Sequence, residues 1–311
     1  MIEARPSTDL LRALFTLKRV SRSPKSMAEW FQGFNDSVRD YDSSLDRAIL
    51  GGRMSRDVGH AFVSGYQSAL ERLFGMESPM LASLCVSERG GNHPRAIETR
   101  LSTDGDRFVL NGHKQFVSGA EDSQQLFVAA TTGTSSEGYP TLKLVRVDAR
   151  QSGVNVRPMP PLGFVPEISH GTVTLQDVRI APDQVLPGDG YLQYIKPFRT
   201  LEDLHVLAAL AAFRMGEAIE SNWDKTEQAL HLPPLLALRQ LNTMPINAPE
   251  THLALFACRE QMNVLFAATD DQYRQRNPEG FKRWERDRKL LDIAGKAQNQ
   301  RTQKAWKAVV A

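Results

Sequence analysis

Two cysteines in 311 residues, Cys85 and Cys258, are too few and too far apart to staple a fold with disulfides. Both sit in apolar surroundings and read as reduced core residues rather than reactive thiols. Long hydrophobic runs are also missing. The longest, such as Val206 to Phe213, fall far short of the roughly 20 residues that cross a bilayer, so no membrane partner is expected. The opening MIEARPSTD lacks a secretory leader pattern, which makes a cytoplasmic location the expectation. Charge of one sign is scarce: 38 Lys and Arg against 36 Asp and Glu give a net +2. The basic stretch RWERDRKLLDIAGKAQNQRTQKAWK interleaves acids with its cations, so it reads as a solvated helix face and not a nucleic-acid surface. Without His-Glu-x-x-His or Cys-x-x-Cys, no metal is expected. Neither Gly-x-Gly-x-x-Gly nor a phosphate-cradling Lys motif occurs.

What the chain does contain falls into three stretches, consistent with a length that suggests more than one core. Residues 1–80 carry helical spacing. In SRDVGHAFVSGYQSALERLF, Val58, Phe62, Gly65, Tyr66, Ala69, Leu70 and Leu73 line one face behind Ser55, a candidate N-cap. Gly51-Gly52 reads as a turn between two helices. Residues 81–193 change to the period of short strands. RFVL, Asn111-Gly112 and KQFV predict a hairpin, because Asn-Gly readily adopts a type I′ turn. QLFVAAT, TLKLVRV, GVNVRP and GTVTLQDVRI follow as further strands, giving a small antiparallel β domain. Residues 194–311 return to helical spacing, at about 200–223, 225–243 with Pro233-Pro234 interrupting, 249–275 and 278–310. Short Pro-marked connections predict a four-helix bundle. Its first helix is rich in small residues (Ala208, Ala209, Ala211, Ala212, Gly216, Ala218), which lets neighbouring helices approach closely. The expected class is therefore α+β: an N-terminal helical domain, an antiparallel β domain and a C-terminal bundle.

The β segment is the most specific part. LASLCVSERGG, then TRLSTDGDRFVLNGHKQFVSGAEDSQQLFVAATT, then PEISHGTVTLQDVRIAPDQVLPGDGY, in that order, resembles the middle domain of the acyl-CoA dehydrogenase family. That pattern runs as a Thr-Glu-Pro loop, a DG(D)xYxLNGxKxxI(T/S) hairpin and a VxFxDVxVP strand. The likeness is specific over about residues 84–191 and covers most of the chain in layout. It implies a homo-oligomeric flavoprotein of acyl-CoA and lipid metabolism. Such a protein uses FAD to remove two hydrogens from the α and β carbons of an acyl-CoA thioester, with an electron-transfer partner or second subunit. It also implies that FAD lies between the β domain and the bundle. By position, Val86 and Ser87 fall where the loop meets the flavin ring. Phe116, Val117 and Ser118 fall where an aromatic, an apolar and a hydroxyl residue pack on or hydrogen-bond the isoalloxazine. Donors near the flavin nitrogen and carbonyls stabilise charge as hydride arrives. From strand alternation alone, Phe116 reads as a core phenylalanine; the resemblance makes it a flavin contact.

Other positions depart from the family pattern. Arg89 stands where the pattern has proline and the loop is a residue shorter, so the serine that touches the thioester tail has no counterpart. Asn92 and His93 are then candidate substrate contacts, or else residues of a solvated loop. The Arg-x-x-Phe-Gly and Gln-x-x-Gly-Gly-x-Gly motifs that hold the FAD pyrophosphate and adenosine in the family are not matched. SNWDKTEQALHLPPLL follows the first bundle helix, and KAWKAVVA stands where the glycine motif would begin. The glutamate that serves most family members as base lies beyond that motif, so the base is expected elsewhere. Some members carry it on the first bundle helix, in a (D/L)-x-E-R-x-x-x-A-x-x context. Aligning VLAALAAF with that helix puts Asp203 at the position, Glu202 just before it and Leu204 in place of the Arg. Taking a proton α to a thioester requires a carboxylate within hydrogen-bond reach, so Asp203 and then Glu202 are candidate bases. The same acids also fit a plain helix start, with Thr200 as N-cap and Asp203 at capping-box spacing. Three functions follow from the resemblance: a dehydrogenase, a family flavoenzyme acting on another small substrate, and a non-catalytic or partner-dependent paralogue.

Overall fold

In a computed structural model that describes residues 7–20, 24, 26–76, 79–293 and 295–310, four helices come first. They are α1 (Ser7–Thr16), α2 (Met27–Val38), α3 (Ser44–Met54) and α4 (Val58–Phe74). Seven strands follow: β1 (Ala82–Cys85), β2 (Arg100–Asp104), β3 (Arg107–Ser118), β4 (Gln125–Thr134), β5 (Pro140–Asp148), β6 (Val154–Pro158) and β7 (His170–Ile180). The chain then returns to helix as α5 (Lys196–Glu220), α6 (Lys225–Ala229), α7 (Leu232–Leu241), α8 (Pro249–Arg276), α9 (Pro278–Asp287), α10 (Leu290–Ile293) and α11 (Gly295–Val309). The fold is α+β, as the periodicity predicts. It divides into two compact units, residues 73–161 with 168–199, and residues 1–72 with 162–167 and 200–311. The helices on either side of the strands in sequence thus share one unit.

In the helical unit, α5 is the central element, and residues 207–218 are all buried. A helix enclosed on all sides needs small residues where its neighbours cross it, and those neighbours need the same. Gly52 of α3 lies against the Ala209 backbone: a Cβ built there would sit 2.0 Å from the Ala209 carbonyl oxygen. Gly65 of α4 faces Val206 in the same way, its Cβ position 2.7 Å from that Cα. Gly51-Gly52 is therefore not a turn. Both glycines lie inside α3 and serve helix contact, because interior packing tolerates no overlap. The close approach expected of the Ala- and Gly-rich helix is what the structure contains. Charge is also buried here. Arg214 donates to Asp270 (2.8 Å) and Thr269 (2.8 Å) and lies within 6 Å of the ring centres of Trp223, Phe266, Tyr273 and Trp284. Asp46 of α3 receives both prongs of Arg239 of α7, at 2.9 and 2.8 Å. α8 packs against α7, α9 and α11.

Several local expectations are corrected. Ser55 does not start α4. It ends α3, its N–H shared between the Gly51 and Gly52 carbonyls, and α4 begins at Val58. The last predicted helix is broken into α9, α10 and α11, and the second into α6 and α7. The helix around Thr200 starts earlier than predicted, at Lys196, after a π-helical turn over Tyr191–Ile195. Cys85 and Cys258 are buried free thiols as expected. Burial pushes the Cys85 thiol up to about 12, which leaves it inert.

In the β unit the strand order is β1-β4-β2-β3-β7-β6, with β5 on β4. Most pairs are antiparallel, but β1 and β2 run parallel to β4, so the sheet is mixed and not purely antiparallel as expected. Leu101, Leu110, Val117, Val128, Val145 and Val173 belong to its core. Asn111-Gly112 is not the hairpin turn. The turn is Gly105-Asp106, where Gly105 has φ +63°, and β3 continues through Asn111-Gly112. Both residues are used otherwise. Asn111 bonds Asp177, whose own φ is +50°. Gly112 lets the strand lie against Thr99, whose Oγ1 would be 2.3 Å from an added Cβ.

Candidate functional site

The carried-over residues of the β unit meet where the loop after β1 runs beside β3. Val86 and Ser87 are half-buried, and the Ser87 carbonyl accepts the Gln115 N–H at 2.8 Å. Between Lys114, paired with Val173, and Val117, paired with Gly171, the ladder slips: Gln115 and Phe116 together face Thr172. This β-bulge turns the side chains that follow it. Phe116 adopts φ +54° and is 57% exposed, which rejects the core reading. A bulky L-residue in the left-handed region costs about 1–2 kcal/mol, and an aromatic left in water gives nothing back. A strained residue of this kind is a mark of function, with the inference running from the outlier to the site.

Val117, next along, points inward and is 2% exposed as part of the sheet core, so only its backbone faces the site. Ser118 is half-buried. Its Oγ lies 3.5 Å from His170 Nε2, and its carbonyl accepts from Ser83 Oγ at 2.6 Å. Burial holds the His170 imidazole below its ordinary value, so it is neutral at pH 7. An exposed aromatic, two half-buried serines and a neutral imidazole thus lie along the bulge of β3, the loop bonded to it and the start of β7. A flat heteroaromatic ring with polar edges fits that set.

Asn92 and His93 are exposed. The Asn92 carbonyl accepts from Arg199 (3.1 Å), and His93 Nδ1 accepts from the Arg95 N–H (3.2 Å), capping a short turn over Pro94–Ala96. Their backbones are held by these bonds, and the side chain of Asn92 faces solvent.

Asp203 and Glu202 belong to the helical unit and lie well inside α5, which removes the capping-box reading: Thr200 is helical and 1% exposed. Asp203 forms an ion pair with Arg301 of α11. Glu202 is half-buried beside it in sequence. Sequence reasoning passed over Glu88, Lys114 and His170. Lys114 carried a usable signal, a lysine at an inward position of the alternating strand β3.

Among the described residues, no group of three or more His, Cys, Asp or Glu side chains is placed to hold a metal. No helix there is long and apolar enough to cross a membrane.

Residues 83–178 match the model of the acyl-CoA dehydrogenase middle domain. Over these residues the chain carries a middle domain of the acyl-CoA dehydrogenase family. The mitochondrial short/branched chain specific acyl-CoA dehydrogenase of Bos taurus is 33% identical over 114 residues, 35% of this chain and 26% of its own. An acyl-CoA dehydrogenase of Mycobacterium tuberculosis, IpdE1, is 35% identical over 108 residues, 34% of this chain and 28% of its own. The alignment thus spans 28% or less of either relative's length. The butyryl-CoA dehydrogenase of Megasphaera elsdenii superposes with a TM-score of 0.66 over 88% of this chain and 85% of that one, at 16% identity, a likeness of fold.

Proposed function

We propose that the protein is an FAD-dependent oxidoreductase that removes hydrogens from the α and β carbons of an acyl-CoA thioester. The observation that carries this reading is Phe116, strained and exposed in a bulge whose Gln115 is bonded to the Ser87 carbonyl. These residues would hold the ring: Phe116 by stacking, the serine hydroxyls and the Val117 backbone by hydrogen bonds at its edge. FAD, when bound, supplies the two-electron acceptor. The chain's own residues bind and orient it, exclude water from its face and position a base. Asp203 is the candidate base, and its carboxylate would have to part from Arg301 to take a proton. That ion pair favours a second reading, in which Asp203 fastens α5 to α11 and acyl-CoA is not oxidised.

A panel of acyl-CoAs added anaerobically to the FAD-loaded protein is expected to bleach the flavin band, and Asp203→Asn is expected to abolish bleaching while leaving the protein folded. Unchanged bleaching in Asp203→Asn would remove it as the base. No bleaching by any acyl-CoA, with flavin bound, would support the second reading.

Phe116→Gly separates the roles of strain and contact. Glycine relieves the positive φ, so the apoprotein should gain about 1 kcal/mol in urea unfolding while FAD affinity falls. A variant with unchanged affinity would show that the ring is not a cofactor contact.

A further inference from the structure

Beside the Val86–Ser87 loop lies a buried ion pair whose side chains are not themselves among the proposed ring contacts. Lys114 is 0% exposed, and its ammonium donates to Glu88 Oε1 at 2.6 Å, with the Val86 carbonyl 3.5 Å away. The Glu88 carboxylate also accepts two backbone N–H groups, Thr99 on Oε1 (3.1 Å) and Glu98 on Oε2 (2.7 Å). The Glu88 backbone closes a turn with Gly91 through reciprocal bonds of 3.0 and 2.9 Å. Thr99 in turn abuts Gly112 of β3 and accepts the Thr131 N–H of β4 at 2.7 Å. One buried pair therefore joins the 86–91 loop, the 98–99 segment and β3 just before its bulge.

In a regular strand Lys114 and Phe116 would share a face. Here one is fully buried and the other projects into solvent, so the slip between them sets the aim of Phe116. The slip starts at Lys114, held through its ammonium, and its first residue, Gln115, is held by its N–H bond to Ser87. Resting on the flavin reading above, we infer that Glu88 and Lys114 are positioning residues for the cofactor. Their buried pair holds the Val86–Ser87 loop and the Phe116 bulge in register to receive the ring, and its balanced charge sets the field beneath it.

Stability is a poor reason for such a pair. Replacing a buried ion pair by apolar side chains of similar volume is often neutral or stabilising, whereas removing one partner strands a charge. Burial pulls the Lys114 ammonium below its ordinary value and Glu88 opposes that pull. For Glu88, burial alone would raise it, but Lys114 and the two backbone N–H groups hold it below the usual carboxylate range. The 2.6 Å contact, with two backbone N–H groups also donating to the carboxylate, is the geometry of a charge-assisted pair.

The test compares wild type with Lys114→Met, Glu88→Gln and the double Glu88→Leu/Lys114→Met, which strands no charge. FAD affinity, the fine structure of the flavin absorption bands, the flavin midpoint potential and amide exchange of Gln115, Glu98 and Thr99 in the apoprotein are read for each. We expect the double variant to melt near the wild type yet bind FAD about tenfold or more weakly, with faster exchange at those amides. Of the single variants, Lys114→Met leaves an anion and should lower the potential, and Glu88→Gln leaves a cation and should raise it. A double variant that binds FAD as wild type does, with unchanged exchange and spectrum, overturns the inference and leaves the flavin reading intact. A wild type that takes up no FAD overturns both.

Discussion

Acidification from pH 7 to about 4.5 is expected to remove roughly 5 kcal/mol of stability through two buried histidines. His205 and His231 are each 0% exposed. His205 Nδ1 donates to the Leu201 carbonyl at 2.8 Å and its Nε2 accepts from Ser44 Oγ at 2.9 Å, so the neutral ring is fully used. Burial, with Arg72 adding to it, drives His205 down to about 3; burial and then Arg214 drive His231 down to about 4. The unfolded chain titrates near the ordinary histidine value of 6.5, well above the folded one, so between these values the unfolded state binds more protons. Stability is fully present above about pH 7 and is lost as pH falls through 6.5 toward the folded values. At pH 4.5 each histidine contributes about 2 to 3 kcal/mol of loss at about 1.4 kcal/mol per unit. Glu167, which burial raises, works in the opposite direction. Urea unfolding at stepped pH checks this, with His205→Gln expected to flatten the dependence by about half. Stability that stays level from pH 7 to 4.5 would contradict it.

Gly52→Ala is expected to destabilise the protein by about 3 kcal/mol or more, a large loss for one methyl group. The added Cβ would meet the Ala209 carbonyl oxygen at 2.0 Å and its carbonyl carbon at 2.6 Å. Both are backbone atoms of the enclosed helix α5, so no rotamer relieves the clash and α3 must move away from its neighbour. Gly33→Ala is the control. That residue lies within α2 with nothing inside 4 Å of its Cβ position, so the exchange should raise stability by about 0.5 to 1 kcal/mol. Thermal or urea unfolding of both variants reads the contrast, and similar values for the two would refute the close-contact account.

These glycines show where sequence reading stops. The strands QLFVAAT, TLKLVRV and GTVTLQDVRI were legible because alternation and turn residues agree locally, and α8 because Pro249 starts it cleanly. Gly51-Gly52 looks the same in sequence whether it makes a turn or a helix crossing. The deciding partner, Ala209, lies more than 150 residues away. Asn111-Gly112 was misread for the same reason: its requirement comes from Thr99 and Asp177, not from chain reversal. At the candidate site, the pattern pointed to Val86, Ser87 and Ser118, which are half-buried, and to Phe116, which is exposed. Neither the bulge that exposes Phe116 nor the inward turn of Val117 was legible, because a register slip is a property of two paired strands. The Asp203 pairing with Arg301 is of this kind too, since the partner is distant in sequence and lies on another helix.

The account rests on one point, that the wall around Phe116 receives a flavin ring. Titration of the purified protein with FAD, followed by the flavin absorption spectrum after removal of unbound cofactor, tests it most directly. The account predicts near-stoichiometric retention of a flavin whose bands are resolved by an apolar site. A protein that remains colourless after FAD is added in excess would contradict it.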